Sequence, residues 1–214
     1  MSWKRSVSKY KILNNSSPRI LGNQEKGLVF VISAPAGTGK TTLARMLCKE
    51  FDGMIHESVS CTTRAKRLNE QDGVDYYFLS PQEFEKNVRD GAFLEHSLVF
   101  DQYYGTLKSE IEKKTANGKH VILVIDTQGA MKIQKQIEAI FIFIAPPSLD
   151  ELERRLRLRQ TETEESIRKR LSWAEKEVLM ADQYDYFIVN EDLQLAYQVL
   201  KSIVIAEEHK NRRS

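Results

Sequence analysis

Cysteine is nearly absent from this chain: there are two in 214 residues, Cys48 and Cys61, thirteen positions apart and without a CxxC pair. That rules out a disulfide framework and a structural zinc site and fits a reducing, cytoplasmic setting, so each thiol is expected as a small buried hydrophobe. His56, His96, His120 and His209 lack the spacing of metal ligands, and structural or surface positions are expected for them. Long hydrophobic runs are missing as well. The longest, Ala139–Ala145, has seven residues, far short of the ~20 that a membrane helix needs, so no membrane partner is expected. Repeats and low-complexity tracts are also lacking, and a chain with 41% apolar and 29% charged residues is not disordered as a whole. One globular domain, with or without insertions, is the expectation.

Net charge is small, +2, but unevenly distributed. Residues 1–24 hold Lys4, Arg5, Lys9, Lys11 and Arg19 and no acid, which leaves 27 basic and 30 acidic side chains from Glu25 onward. A basic segment without an apolar stretch is not a secretory signal. Residues 1–24 are expected to be a disordered extension outside the fold, and no nucleic-acid partner is called for.

What is present from residue 27 onward is an alternation of short apolar runs and amphipathic stretches. Leu28–Ile32, Val121–Ile125, Phe141–Ala145 and Tyr186–Val189 are unbroken β-branched or aromatic runs, the pattern of strands covered on both faces. Helices are expected near Lys40–Phe51, Leu107–Asn117, Met131–Ile137, Leu149–Leu158, Glu165–Met180 and Leu193–Glu208. Ser80-Pro81-Gln82-Glu83 and Ser148-Leu149-Asp150-Glu151 each offer a capping hydroxyl with Glu three residues on. The alternation predicts an α/β fold, a parallel sheet flanked by helices. Residues 59–106 break the rhythm with short strands at Tyr76–Leu79 and Phe93–Val99 and turns at Gly73 and Gly91, and read as an α+β insertion. Thr161–Glu165, polar and acidic between Arg-rich helices, reads as part of a helical lid over 153–183. The remaining core is expected at 25–58, 107–152 and 184–210.

The first apolar run leads into Ala34-Pro35-Ala36-Gly37-Thr38-Gly39-Lys40-Thr41-Thr42 and then a helix. Strand, glycine loop, helix is the context of a Walker A phosphate loop. Gly37 and Gly39 let successive N–H groups turn toward phosphate oxygens while the helix aims its positive end at the same anion. Lys40 is expected on the β/γ-phosphates and the Thr41 hydroxyl on Mg²⁺. Ala34 stands where the first Gly of GxxxxGK[ST] is usual, which the backbone tolerates if φ stays negative. Within the insertion, Arg64 and Arg67 are three apart and can face one anion together, with Tyr76 and Tyr104 as neutral donors. Taken alone, that charge cluster also suits a solvated surface.

Several motifs in one order carry a resemblance. They are the phosphate loop, Ser60…Thr63-Arg64…Arg67…Glu70…Asp75-Tyr76, Glu95…Tyr103-Tyr104-Gly105-Thr106, Ile125-Asp126-Thr127-Gln128-Gly129, Phe143 to Ser148, Thr161 to Glu165, Lys169-Arg170-Leu171, and Tyr184-Asp185-Tyr186…Val189-Asn190. From Gly27 to about Lys201 the chain resembles the guanylate kinases. The resemblance implies a P-loop NTPase-type sheet with a GMP-binding insertion, and Mg²⁺-dependent transfer of the ATP γ-phosphoryl group to GMP. It implies that Arg64, Arg67, Tyr76 and Tyr104 hold the GMP phosphate, that Ser60, Glu95, Thr106 and Asp126 read guanine with Glu70 in the same pocket, and that Asn190 lies near adenine. Arg159 and Arg170 are implied as clamps on the transferring group, so Lys40, Arg64, Arg159 and Arg170 are the expected catalytic groups. A carboxylate such as Glu95 accepts from guanine N1–H and N2–H₂ together, whereas adenine presents it with a lone pair.

The chain departs from the family pattern at Cys61, Leu68-Asn69, Val124 and Gln160, where His or Ser, Pro-Gly, Asp and Gly are usual. Val124 leaves Asp126 as the one acid at the end of its strand, serving guanine or the metal's water shell. Two other readings of the same scaffold are a noncatalytic peptide-binding module and a kinase for a sugar phosphate. Intact Lys40, Thr41, Arg159 and Arg170 argue against the first, and Glu95 with Asp126 against the second.

Overall fold

The structure, a computed structural model, describes residues 20–22, 24–99, 101–158 and 163–211. The core sheet contains β1 (Val29–Ser33), β2 (Ile55–Glu57), β7 (His120–Val124), β8 (Ile140–Ala145) and β9 (Tyr186–Val189). Their spatial order is β2-β7-β1-β8-β9, with every neighbouring pair parallel. A second sheet, β3 (Cys61–Thr62), β4 (Tyr77–Phe78), β5 (Phe93–Val99) and β6 (Gln102–Leu107), runs in the order β4-β3-β6-β5. The helices are α1 (Lys40–Glu50), α2 (Pro81–Arg89), α3 (Lys108–Thr115), α4 (Thr127–Ile133), α5 (Leu149–Arg157), α6 (Glu164–Val178) and α7 (Leu193–Glu208).

The central strands are apolar throughout because both of their faces are covered: all five residues of β1 and all six of β8 are buried. Phe30, Ile32, Ile142 and Ile144 face Leu43, Leu47, Leu200 and Val204 from α1 and α7. Val31, Leu123 and Phe141 face Ala130 and Ile133 of α4 on the opposite side. Because β1 and β7 are parallel neighbours, their carboxyl ends lie at one edge, where Ser33 and Val124 lead into the loops that carry the site.

Three strands fell outside the expectation: β2, β3 and β6. The first two have only three and two residues, too few to show an alternation. β6 carries Gly105, whose bare Cα lies where a Cβ would come within 3.0 Å of Phe93. Helix α4 begins at Thr127, four residues before the expected Met131, because Asp126 caps it: its Oδ1 accepts from the backbone N–H groups of Gln128 and Gly129 at 2.8 and 3.0 Å. Both expected caps are formed, Ser80 with Glu83 reciprocally and Ser148 on the Glu151 N–H at 3.1 Å. Helices α5 and α6 pack through Leu152, Leu156, Ile167 and Ala174. Thr163, the last polar residue before α6, caps it through the Ser166 N–H at 3.2 Å. Arg159, Gln160, Thr161 and Glu162, and with them part of the expected lid, lie outside the described residues, as do residues 1–19 and 23 of the extension expected over 1–24. The end of that extension belongs to the fold instead: Leu21 is buried in the core and Gln24 Nε2 donates to the Glu208 carbonyl at 2.5 Å. No helix among the described residues is long and apolar enough to cross a membrane.

Candidate active site

The phosphate loop has the form its glycines permit. Gly37 and Gly39 both take left-handed φ, +98° and +99°, which curls the backbone between β1 and α1 into an anion-sized nest. Among the described residues Asp101 is the one non-glycine with positive φ, so Ala34 keeps an ordinary backbone and its methyl is accommodated. Lys40 Nζ donates to the Ala34 carbonyl at 3.1 Å, arching over the loop. Asn190, in the turn after β9, is buried and donates through Nδ2 to the Thr38 carbonyl at 2.7 Å. Gly39 leaves room for that amide: a Cβ there would meet Asn190 Nδ2 at 2.7 Å. Asn190, expected near adenine, thus braces the phosphate loop.

Opposite the loop lies a second cationic cradle, built by the small sheet. The Arg64 guanidinium sits over the Tyr76 ring at 5.4 Å from its centroid, and Tyr76 meets Tyr104 edge-on at 5.9 Å. Arg64 also holds Glu70, with Nη2 at 2.7 and 3.0 Å from the two carboxylate oxygens. Burial works against the Arg64 charge, yet the hydrogen bonds with Glu70 and Tyr104 outweigh it and raise its pKa. Glu70 does not line the cavity; it orients Arg64 and accepts from the Arg67 backbone N–H at 2.9 Å.

The floor between the two cradles is acidic. Glu95 on β5 is 5% exposed; its Oε1 accepts from the Thr106 hydroxyl at 2.7 Å, while Oε2 is buried with no hydrogen-bond partner. Burial, with the nearby Asp126 charge adding to it and the Thr106 hydrogen bond opposing it, pushes the Glu95 carboxyl up to about 7. Thr106, expected to read guanine itself, is fully buried behind Glu95 and reaches that carboxyl instead. The second oxygen of Asp126, Oδ2, accepts from Ser97 Oγ at 2.8 Å. Ser97 follows Glu95 by two along β5 and therefore shares its face. The sequence gives a lone serine in a strand no such role.

A further carboxyl, Glu177 near the end of α6, accepts from Thr127 Oγ1 at 3.2 Å. Burial pushes it up to about 7 against the pull of the Lys40 ammonium. In the sequence it looks like one member of a surface Glu-Lys-Glu run, and only the packing of α6 on the phosphate-loop side reveals it.

One cavity of about 200 Å³ joins these parts. Ala36, Lys40 and Thr41 line it from the phosphate loop, and Ser60, Arg64, Arg67, Tyr76 and Tyr104 from the small sheet. Glu95 and Asp126 line its floor, and Arg170 enters from α6. A magnesium ion fits this donor set. Among the described residues no group of three or more His, Cys, Asp or Glu side chains forms a cation cage. The Thr41 hydroxyl stands at the phosphate loop, as suits an ion that keeps most of its waters and shares phosphate oxygens.

The guanylate kinase family model matches residues 26–207. A guanylate kinase of Protochlamydia amoebophila is 56% identical over 189 residues, 88% of this chain and 95% of the relative. One from Chlamydia felis is 49% identical over 86% of this chain and 90% of the relative. The crystal structure of guanylate kinase from Anaplasma phagocytophilum superposes with a TM-score of 0.73 at 35% identity, covering 87% of this chain and 89% of that one. A family model that spans residues 26–207, relatives that match along nearly their whole length and a glycine loop and arginine cluster that line one cavity lead to one assignment: the chain belongs to the guanylate kinase family.

Proposed function

We propose that the enzyme transfers the γ-phosphoryl group of Mg·ATP to GMP or dGMP, giving ADP and GDP or dGDP. The single observation that carries this is the shared cavity, which Lys40, the Arg64–Tyr76–Tyr104 cluster and Glu95 all line. Lys40 and the loop N–H groups hold the donor's β- and γ-phosphates. Arg64, Arg67, Tyr76 and Tyr104 hold the acceptor's 5′-phosphate, so that one of its oxygens points in line toward the donor. Glu95 accepts from guanine N1–H and N2–H₂, and Asp126, fixed by its cap and by Ser97, supports the same base edge. Arg170 supplies positive charge to the equatorial oxygens of the group in flight, where an arginine contributes on the order of 10³–10⁵ in rate. The Thr41 hydroxyl and the donor's phosphates would hold Mg²⁺, which would supply charge neutralisation on the donor. No side chain is required as a general base, since the attacking phosphate oxygen is already ionised at neutral pH.

We assign residues 59–106 to acceptor binding, 153–183 to closure over the donor, and 25–58, 107–152 and 184–210 to the donor-binding core. The setting we infer is the cytoplasm, in purine nucleotide metabolism, with the two free thiols Cys48 and Cys61 suited to reducing conditions. A coupled assay for ADP release tests the reading with GMP, dGMP, AMP, dTMP, UMP and ribose bisphosphate as acceptors. Turnover with the two guanine nucleotides alone is expected. Equal turnover with AMP, or turnover with the sugar bisphosphate alone, would overturn it.

A further inference from the structure

Gly129, the third residue of α4, touches both acidic groups on the floor of the cavity. Its backbone N–H donates to Asp126 Oδ1 at 3.0 Å. Its bare Cα faces Glu95: a Cβ built there would stand 2.7 Å from Glu95 Oε2 and 3.1 Å from Cδ. Oε2 is the oxygen without a partner, and Oε1 is already engaged by Thr106. The glycine has negative φ, since the positive-φ glycines are elsewhere, so the turn does not require glycine for its backbone. Inside a helix glycine costs about 1 kcal/mol relative to alanine. It has no conformational justification here, and the space it leaves is filled by a carboxylate oxygen.

We infer that Gly129 is a specificity-determining residue whose missing side chain sets the position of the guanine-reading carboxylate. The inference rests on the assignment of Glu95 to guanine made above. A methyl group at this position forces Oε2 to move by several tenths of an ångström. Because Thr106 pins Oε1, the carboxylate then turns out of the plane in which both its oxygens meet N1–H and N2–H₂. The bond from N2–H₂ to the displaced Oε2 is lost while that from N1–H to Oε1 survives, so the site ceases to tell guanine from hypoxanthine, which has N1–H but no 2-amino group.

The test is kinetics of Gly129→Ala with GMP, IMP and ATP, together with thermal melts. The expected result is a kcat/KM for GMP lowered at least tenfold through KM, as misplacement by a fraction of an ångström implies. Preference for GMP over IMP should fall by a similar factor, KM for ATP should stay within twofold, and Tm should be unchanged or higher. A merely structural role would instead lower Tm and leave the GMP-to-IMP ratio intact. Glu95→Asp, which draws the carboxylate back by one methylene, serves as second background: there, adding Gly129→Ala should cost less than threefold. An unchanged GMP-to-IMP ratio in Gly129→Ala, or the same loss in both backgrounds, would overturn the inference. Glu95→Ala separates the two levels. If it leaves KM for GMP unaltered, the assignment of Glu95 falls and the inference with it; if it raises that KM while Gly129→Ala does not, only the inference falls.

Discussion

Replacing Glu95 by Gln should make the nucleotide-free enzyme more stable, and more so at alkaline than at acid pH. The carboxyl is nearly buried, its Oε2 has no partner, and burial lifts it from an ordinary value of 4.5 to about 7. The folded form therefore keeps a proton that the unfolded chain releases, and stability falls as pH rises from about 4.5 through about 7. Linkage at 1.36 kcal/mol per decade puts the cost at about 3 kcal/mol at pH 8 and about 1 kcal/mol at pH 5. Gln keeps the shape and the acceptor for Thr106 but carries no charge to desolvate, so the variant recovers this difference. For a chain of this length about 2 kcal/mol corresponds to a Tm shift on the order of 4–8 °C. Thermal melts of both proteins at pH 5 and pH 8, without nucleotides, read it directly: the gap in Tm should widen toward pH 8. Glu177, raised in the same direction, is common to both proteins and cancels. The same Tm difference at the two pH values would mean that Glu95 is as well solvated in the fold as in the unfolded chain.

Other perturbations separate the parts of the site. Arg170→Ala should leave GMP affinity nearly intact while kcat falls at least ~100-fold, since the charge is needed by the group in flight rather than by the bound acceptor; steady-state kinetics with a GMP titration checks it. Removing Mg²⁺ with EDTA should abolish turnover but leave GMP binding measurable by calorimetry, because the acceptor cradle consists of arginine and tyrosine side chains. Asp101 holds a left-handed φ of +62° at the β5–β6 turn and makes one long contact, 3.7 Å, to Lys169. Asp101→Gly should therefore raise stability by about 1 kcal/mol in urea unfolding, the relief of strain exceeding the loss of an exposed ion pair.

What was legible in the sequence was whatever depends on neighbours along the chain. The phosphate loop could be read because strand, glycines, lysine and helix are contiguous, and the two-sided burial of β1 and β8 because both strands are apolar without interruption. In the sequence Asp126 reads as a ligand, whereas its capping of α4, and with it the true start of that helix, shows only in the fold. The cluster of Arg64, Arg67, Tyr76 and Tyr104 is assembled by the small sheet and its loops, and no periodicity announces strands of two residues. Glu95, Thr106, Ser97 and Gly129 acquire meaning only from one another: an unpaired carboxylate oxygen, a hydroxyl beneath it, and a glycine where a methyl group would collide. Glu177 is the clearest case, because its proximity to Lys40 follows from how α6 docks, a long-range fact with no local signature.

In the proposed function two phosphate cradles confront each other across a guanine-reading floor. A crystal structure with a bisubstrate ligand, adenosine and guanosine joined 5′ to 5′ by a pentaphosphate, measures it most directly. The phosphate chain is expected to run from Lys40 to the Arg64–Tyr76–Tyr104 cradle, with guanine N1 and N2 within hydrogen-bond distance of Glu95. Guanine seated away from Glu95, or a phosphate chain that engages Lys40 without reaching Arg64, would contradict it.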